Sequence, residues 1–157
     1  MNICGTGHRP KKLGGYSDRA HRRLIDLAAA ALERYDPDMV ISGMALGWDQ
    51  ALAAACIKLR IPFTAAVPFP NQEFFWTEES KAYYWDLMGH AYSVQIVSKG
   101  PYSPRLMQVR NEWMVDHADM VLALWSGSSG GTRNCLSYAT ARNVPYVNLY
   151  HSWMKYK

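Results

Sequence analysis

Cysteine is scarce: Cys4, Cys56 and Cys135 lie far apart in a chain of 157 residues. An odd, widely spaced set builds neither a disulfide framework nor a CxxC metal pair, so no metal site is expected and a reducing cytoplasm fits the chain. Charge is thin as well, with 19% charged residues and a formal net charge of +4. The basic residues, among them Arg19, Arg22, Arg23, Lys58, Arg60 and Arg105, are dispersed and form no long run. That balance suits a small anionic ligand and leaves nucleic-acid binding possible but weak. No apolar run reaches the length of a membrane span, and the opening Met1-Asn2-Ile3-Cys4-Gly5 lacks a basic region followed by an apolar stretch. Neither a membrane association nor secretion is expected. Two familiar phosphate motifs are also missing. Gly5-x-Gly7 lacks the third glycine of GxGxxG, and no GxxxxGK followed by Ser or Thr occurs, which excludes the dinucleotide-dehydrogenase and P-loop classes.

The chain does contain 49% apolar residues, enough in one domain spanning 1–157 to enclose a ligand cleft without disulfides. Short apolar runs alternate with longer helical patterns, the signature of βαβ units. The expected fold is α/β, a Rossmann-like three-layer sandwich with a mostly parallel sheet of about six strands and five helices. Strands are predicted near Asn2 to Cys4, Met39 to Ile41, Phe63 to Val67, Ser93 to Val97, Met120 to Leu124 and Tyr146 to Leu149. Helices are predicted at Ser17 to Tyr35, Trp48 to Leu59, Thr77 to Met88, Arg105 to His117 and Arg133 to Arg142. Ser17 is a plausible N-cap, and Leu24, Leu27, Ala28, Ala31 and Leu32 recur at helical spacing on a core face. The longest irregular stretch is Pro68 to Trp76, whose aromatics Phe69, Phe74, Phe75 and Trp76 either pack locally or form a flap over a cleft.

Three glycine-bearing turns each follow a predicted strand and precede a helix: Gly5-Thr6-Gly7-His8-Arg9-Pro10, Ser42-Gly43-Met44-Ala45-Leu46-Gly47 and Ser126-Gly127-Ser128-Ser129-Gly130-Gly131-Thr132. In a parallel sheet such turns gather at the carboxyl edge, where open α/β sheets bind ligands. Glycine lets the backbone approach a ligand and turn its N–H groups inward, and a following helix N-terminus favours negative charge. A phosphate is the natural occupant.

Arg110 sits within an apolar stripe, with Leu106, Met107, Trp113 and Met114 at helical offsets around it. Its guanidinium must snorkel out, pair with an acid such as Asp119, or reach a ligand phosphate. His8 and Arg9 follow the first loop and are either anion contacts or exposed loop residues. Asp49 opens the helix after the second loop, where an acid also complements the helix dipole. Cys135 falls in the first turn after the serine-glycine loop, a setting that lowers a thiol's pKa unless the residue simply packs.

The run from Ile41 to Gln50, together with Gly5 to Pro10 and Ser129-Gly130-Gly131-Thr132, resembles the SLOG superfamily, and within it the YpsA-like branch of bacterial and phage proteins. The resemblance implies a Rossmann-like fold, often a homodimer, that binds a nucleotide-derived small molecule with no cofactor. Its implied ligand contacts are Gly5, Thr6, Gly7, His8, Arg9, Ser42, Gly43, Asp49, Arg110, Ser129, Gly130, Gly131 and Thr132. Lonely Guy-type phosphoribohydrolases have a stretch similar to Met107-Gln108-Val109-Arg110, followed by PGGxGTxxE, which Arg110 and Thr132 match. Here Val109 stands where those enzymes usually have an acid and Cys135 where they have the final glutamate, which leaves Asp49 and Glu112 as the candidate catalytic acids. The DNA-processing protein that loads recombinase on single-stranded DNA has an SGxAxGID segment similar to Ser42 to Asp49. Single-strand binding calls for a basic groove with stacking aromatics, so the first expectation is sensing or sequestering of a nucleotide, ahead of hydrolysis and of DNA binding.

Overall fold

A computed structural model describes residues 1–155. The chain runs β1 (Asn2–Gly7), a 3-10 turn (Pro10–Lys12), α1 (Asp18–Tyr35), β2 (Met39–Ser42), α2 (Trp48–Leu59), β3 (Phe63–Val67) and α3 (Glu78–Met88). It continues through β4 (Ser93–Ile96), α4 (Pro104–Asp116), β5 (Met120–Leu124), α5 (Gly131–Ala141), β6 (Tyr146–Asn148) and α6 (Tyr150–Met154). All six strands join one sheet in the order β4-β3-β2-β1-β5-β6, and every neighbouring pair is parallel. The α/β Rossmann-like reading therefore holds, with a sheet that is wholly parallel.

Alternation along the strands divides the core into two layers. Ile3, Val40, Ala65, Leu122 and Leu124 pack with α1, α2 and α3 on one face. Cys4, Ile41, Ala66, Val121 and Ala123 pack with α4 and α5 on the other. Small residues make the first layer thin: Ala28, Ala31, Ala51 and Ala55 let α1 and α2 sit close together over the sheet. Ser17 caps α1, its hydroxyl accepting from the Ala20 N–H at 3.1 Å, and Thr77 does the same for α3 through Ser80 at 3.1 Å.

Three expectations need correction. β1 runs on to Gly7 rather than ending at Cys4, because Gly5, Thr6 and Gly7 all pair with β5. The first glycine-bearing turn is thus half strand. The sixth helix, α6, has too few residues for periodicity to register, yet it seats Trp153 in the core. Asp119 does not pair with Arg110: its carboxylate accepts from the Asn2 N–H at 2.7 Å and holds the entry to β1. Among the described residues no helix is long and apolar enough to cross a membrane.

Candidate functional site

The chain leaves β1 for β2 on one side, whereas β5 flanks β1 on the other. This reversal is a topological switch point, and the crevice outside the carboxyl ends of the strands opens there. A cleft of about 590 Å³ occupies it, walled by the end of β1, the start of α4 and the loop into α5. Four cations line it, Arg9, Lys11, Lys12 and Arg110, against the single acid Asp49. The wall selects for an anion.

Arg110 and Asp49 form its floor. Arg110 is 3% exposed and donates from Nη1 to Gly43 O at 2.7 Å and Ala66 O at 3.1 Å, and from Nε to Asn111 Oδ1 at 3.0 Å. The guanidinium thus ties α4 to the ends of β2 and β3 through backbone carbonyls. Gly43 makes this possible: a Cβ there would lie 2.7 Å from Arg110 Cζ and 2.9 Å from Asp49 Oδ2. Asp49, on the first turn of α2, is also buried. Burial pushes its carboxyl above the ordinary carboxylate range, and the charges of Arg110 and Arg9 and the Ala45 N–H oppose that rise. Ser42 is wholly buried and locks the loop between β2 and α2, donating to Asp49 O at 2.7 Å and accepting from Met44 N–H at 3.1 Å.

The glycines of the first loop serve packing before they serve a ligand. A Cβ on Gly5 would meet Leu52 Cδ1 at 2.1 Å, and one on Gly7 would meet Trp48 at 2.6 Å. They let α2 settle onto β1, with the Trp48 indole donating to Leu122 O at 3.1 Å. His8 is buried beyond them, and its Nε2 accepts from the Ser126 N–H at 2.8 Å. Burial, and then the charge of Lys12, hold the ring below its usual pKa. A neutral imidazole accepting at Nε2 carries its proton on Nδ1. This bond ties the first and third loops together.

The third loop builds the polar end of the cleft. α5 begins at Gly131 with Gly130 as its N-cap, at φ 138° and with no side-chain cap. No atom lies within 4 Å of a Cβ built on Gly130 or Gly131, and both glycines and Thr132 line the cleft at this end of α5. Lys12 Nζ donates to Ser128 Oγ at 3.0 Å and carries positive charge to the rim, and Trp125 Nε1 donates to Ser128 O at 2.7 Å and shapes the loop.

The structure brings together on this wall Thr6, Gly7, His8, Arg9, Asp49, Arg110, Ser129, Gly130, Gly131 and Thr132. Gly5, Ser42 and Gly43 stand behind it as packing and positioning elements. Glu112 does not line the cleft and accepts from Gln108 Nε2 at 3.1 Å. Cys135 is fully buried, and burial pushes its thiol up to about 11, so the helix N-terminus does not activate it. The Pro68 to Trp76 aromatics form no flap: none lines the cleft, Trp76 stacks edge-on against Tyr84 at 5.4 Å, and Phe69 does so against Tyr102 at 6.0 Å. Sequence reasoning passed over Lys11, Lys12 and Tyr102, which do line the cleft. The signal for the two lysines was Pro10, which starts the 3-10 turn that folds them back toward the loop before α5.

Comparison with known proteins places this geometry. The profile described as the YspA SLOG family matches residues 3–152. An uncharacterized SPbeta prophage-derived protein, YoqJ, of Bacillus subtilis is 37% identical over 116 residues, covering 63% of this chain and 67% of its own. A UPF0398 protein of Bacillus cereus is 25% identical across 96% of this chain and 88% of its own. Among solved structures, DNA processing protein A from Streptococcus pneumoniae superposes with TM-score 0.64 at 15% identity, covering 92% of this chain. The homologue from Helicobacter pylori, described with a single-stranded DNA binding mode, gives TM-score 0.66 at 16% identity over 93%. This chain spans 48% and 63% of those two structures, whose likeness is one of fold. With nearly its whole length matched by one family profile, the chain belongs to the YspA SLOG family.

Proposed function

We propose that the protein binds a nucleotide or nucleotide-derived small molecule, with a phosphate seated on the N-terminus of α5. One observation carries this reading: an uncapped, glycine-fronted helix N-terminus opens into a cleft where cations outnumber acids four to one. The N–H groups of Gly130, Gly131 and Thr132 would hold the phosphate, with Lys12 and Arg9 screening its charge. Tyr102 and Met107, on the opposite wall, offer an apolar surface for the base. The cytoplasm suits three buried free thiols.

Thermal unfolding with a panel of mono-, di- and cyclic nucleotides tests the reading. A ligand at about 100 times its Kd adds about 2.7 kcal/mol, a clear rise in Tm. Thr132→Glu places a carboxylate among the N–H groups and abolishes the rise. Lys12→Glu, on an exposed side chain, reduces it without touching the core. A flat response of the wild type across the panel would remove the proposal's support.

A second reading, hydrolysis of a nucleotide N-glycosidic bond, is favoured by Asp49, the one acid on the wall and one that burial holds toward its protonated form. Release of free base from nucleoside monophosphates, lost in Asp49→Asn, would put this reading first.

A further inference from the structure

The two edges of the sheet are finished differently. β6 has three residues and is followed at once by α6, which limits what can pair with it. β4, at the other edge, is exposed at every position, and the segment Ser93-Val94-Gln95-Ile96-Val97-Ser98 contains no charge and no proline. Exposed edges are ordinarily protected by such residues against pairing with another chain. Beside this strand, Val94 and Ile96 are 47% and 51% exposed, Trp85 on α3 is 57% exposed and Tyr92 is 74% exposed. Val94, Ile96 and Trp85 border, with Tyr84, Met88 and the acidic residue Glu73, a largely apolar groove of about 430 Å³ between α3 and β4.

We infer that this edge pairs with the same edge of a second copy, antiparallel about a two-fold axis at Gln95, joining two sheets into one of twice the width. Backbone geometry selects the register. The Val97 N–H donates to Val67 O at 2.8 Å, and β4 pairs in parallel with β3 from Ser93↔Thr64 to Ile96↔Val67. Alternate residues of a strand turn their N–H and C=O groups to opposite sides, so Ser93, Gln95 and Val97 address β3 while Val94 and Ile96 turn theirs away from the sheet. Placing Val94 opposite Ile96 of the other copy satisfies all four groups on each strand. On the α3 side it also creates a continuous patch of two Val94–Ile96 cross-strand pairs, the pairing that stabilises sheets.

The surface is sufficient for a second copy. A standard interface buries about 800 Å² per partner. Phe74 lies on the α3 side of this edge, with Lys81, one turn before Trp85, 5.6 Å over its ring and Phe75 edge-on against it at 5.0 Å. Aromatic side chains bury roughly 150–250 Å² each. With 57%, 74%, 64% and 90% of Trp85, Tyr92, Phe74 and Phe75 still exposed, these four rings offer roughly half or more of that area, to which Val94 and Ile96 add, and the uncharged strand lets two identical edges meet without repulsion.

Sedimentation velocity and a disulfide test decide the matter. The wild type is expected to sediment as a dimer across the micromolar range, and Val94→Lys, at an exposed position, as a folded monomer with unchanged circular dichroism. In this register Gln95 faces its own copy in a non-hydrogen-bonded pair, about 4.5 Å between Cα atoms, within disulfide range. Gln95→Cys should therefore form a covalent dimer under mild oxidant. Val94→Cys, whose copy lies beyond the ~7 Å limit, should not. The three native cysteines are buried and stay out of the reaction. A monomeric wild type, a dimer indifferent to Val94→Lys, or a dimer in which Gln95→Cys fails to cross-link would each overturn the proposal.

Discussion

Arg110 shows how one buried charge organises the site. Its Nε and Nη1 are held by Asn111, Gly43 O and Ala66 O, which fixes the guanidinium as a positive floor of the cleft. Arg110→Ala takes the guanidinium donor from buried Ala66 O and removes a charge that favours the Asp49 carboxylate, while Gly43 O keeps Gln72 Nε2 at 3.2 Å; leaving a buried acceptor unpaired costs about 1–3 kcal/mol. Gly43→Ala drives a methyl into the same guanidinium and should cost about 1–3 kcal/mol by overpacking. Urea unfolding of the two variants checks both figures; a Gly43→Ala protein as stable as wild type would show that the floor is looser than its geometry. Arg110's position in an apolar stripe was legible from its neighbours at helical spacing. Its partners were not, because they are main-chain atoms on distant strands, which no side-chain pattern announces.

At the scale of elements, α1 and α3 are joined by His21, whose Nε2 lies 2.8 Å from the Tyr83 hydroxyl. Burial pushes the Tyr83 hydroxyl up to about 12, so it stays protonated beside the ring. Burial lowers the pKa of His21, and the charge of Asp18 opposes the shift. Between the native value and the ordinary 6.5, the unfolded chain binds a proton that the folded chain refuses. The contribution is therefore full above pH 6.5 and is lost as pH falls through the native value. His21→Phe should flatten the fall in Tm between about pH 7 and pH 5, leaving the part due to His8, which burial also lowers. An unchanged slope would place the titration elsewhere. Apart from the short α6, the helices and strands were readable from apolar periodicity, with α2, β3 and β5 bounded as the pattern indicates. The first glycine loop was harder to read, because the same residue type serves a close ligand approach and a close helix: Gly5 and Gly7 turn out to accommodate Leu52 and Trp48. Sequence shows that a Cβ is missing, not which neighbour needs the space.

For the whole molecule, the wholly parallel sheet converges three loops on one switch point and gives the cleft its excess of positive charge. Of the cleft's four cations, Arg9, Lys11 and Lys12 are exposed and Arg110 is buried in its floor. Neutralising about three phosphates gives single-stranded DNA a log–log salt slope of only about −2. Oligonucleotide binding measured by fluorescence anisotropy should thus be weak at physiological salt; submicromolar affinity there would move the DNA reading to first place. The central claim is that a phosphate, seated on α5, holds the ligand. Isothermal titration calorimetry of the wild type with nucleoside 5′-monophosphates and with their parent nucleosides tests it most directly. At least one monophosphate should bind, with its parent nucleoside weaker by about tenfold or more, the ~1.4 kcal/mol or more expected of charge-assisted hydrogen bonds. Equal affinity for nucleotide and nucleoside, or no heat from any member of the series, would contradict the account.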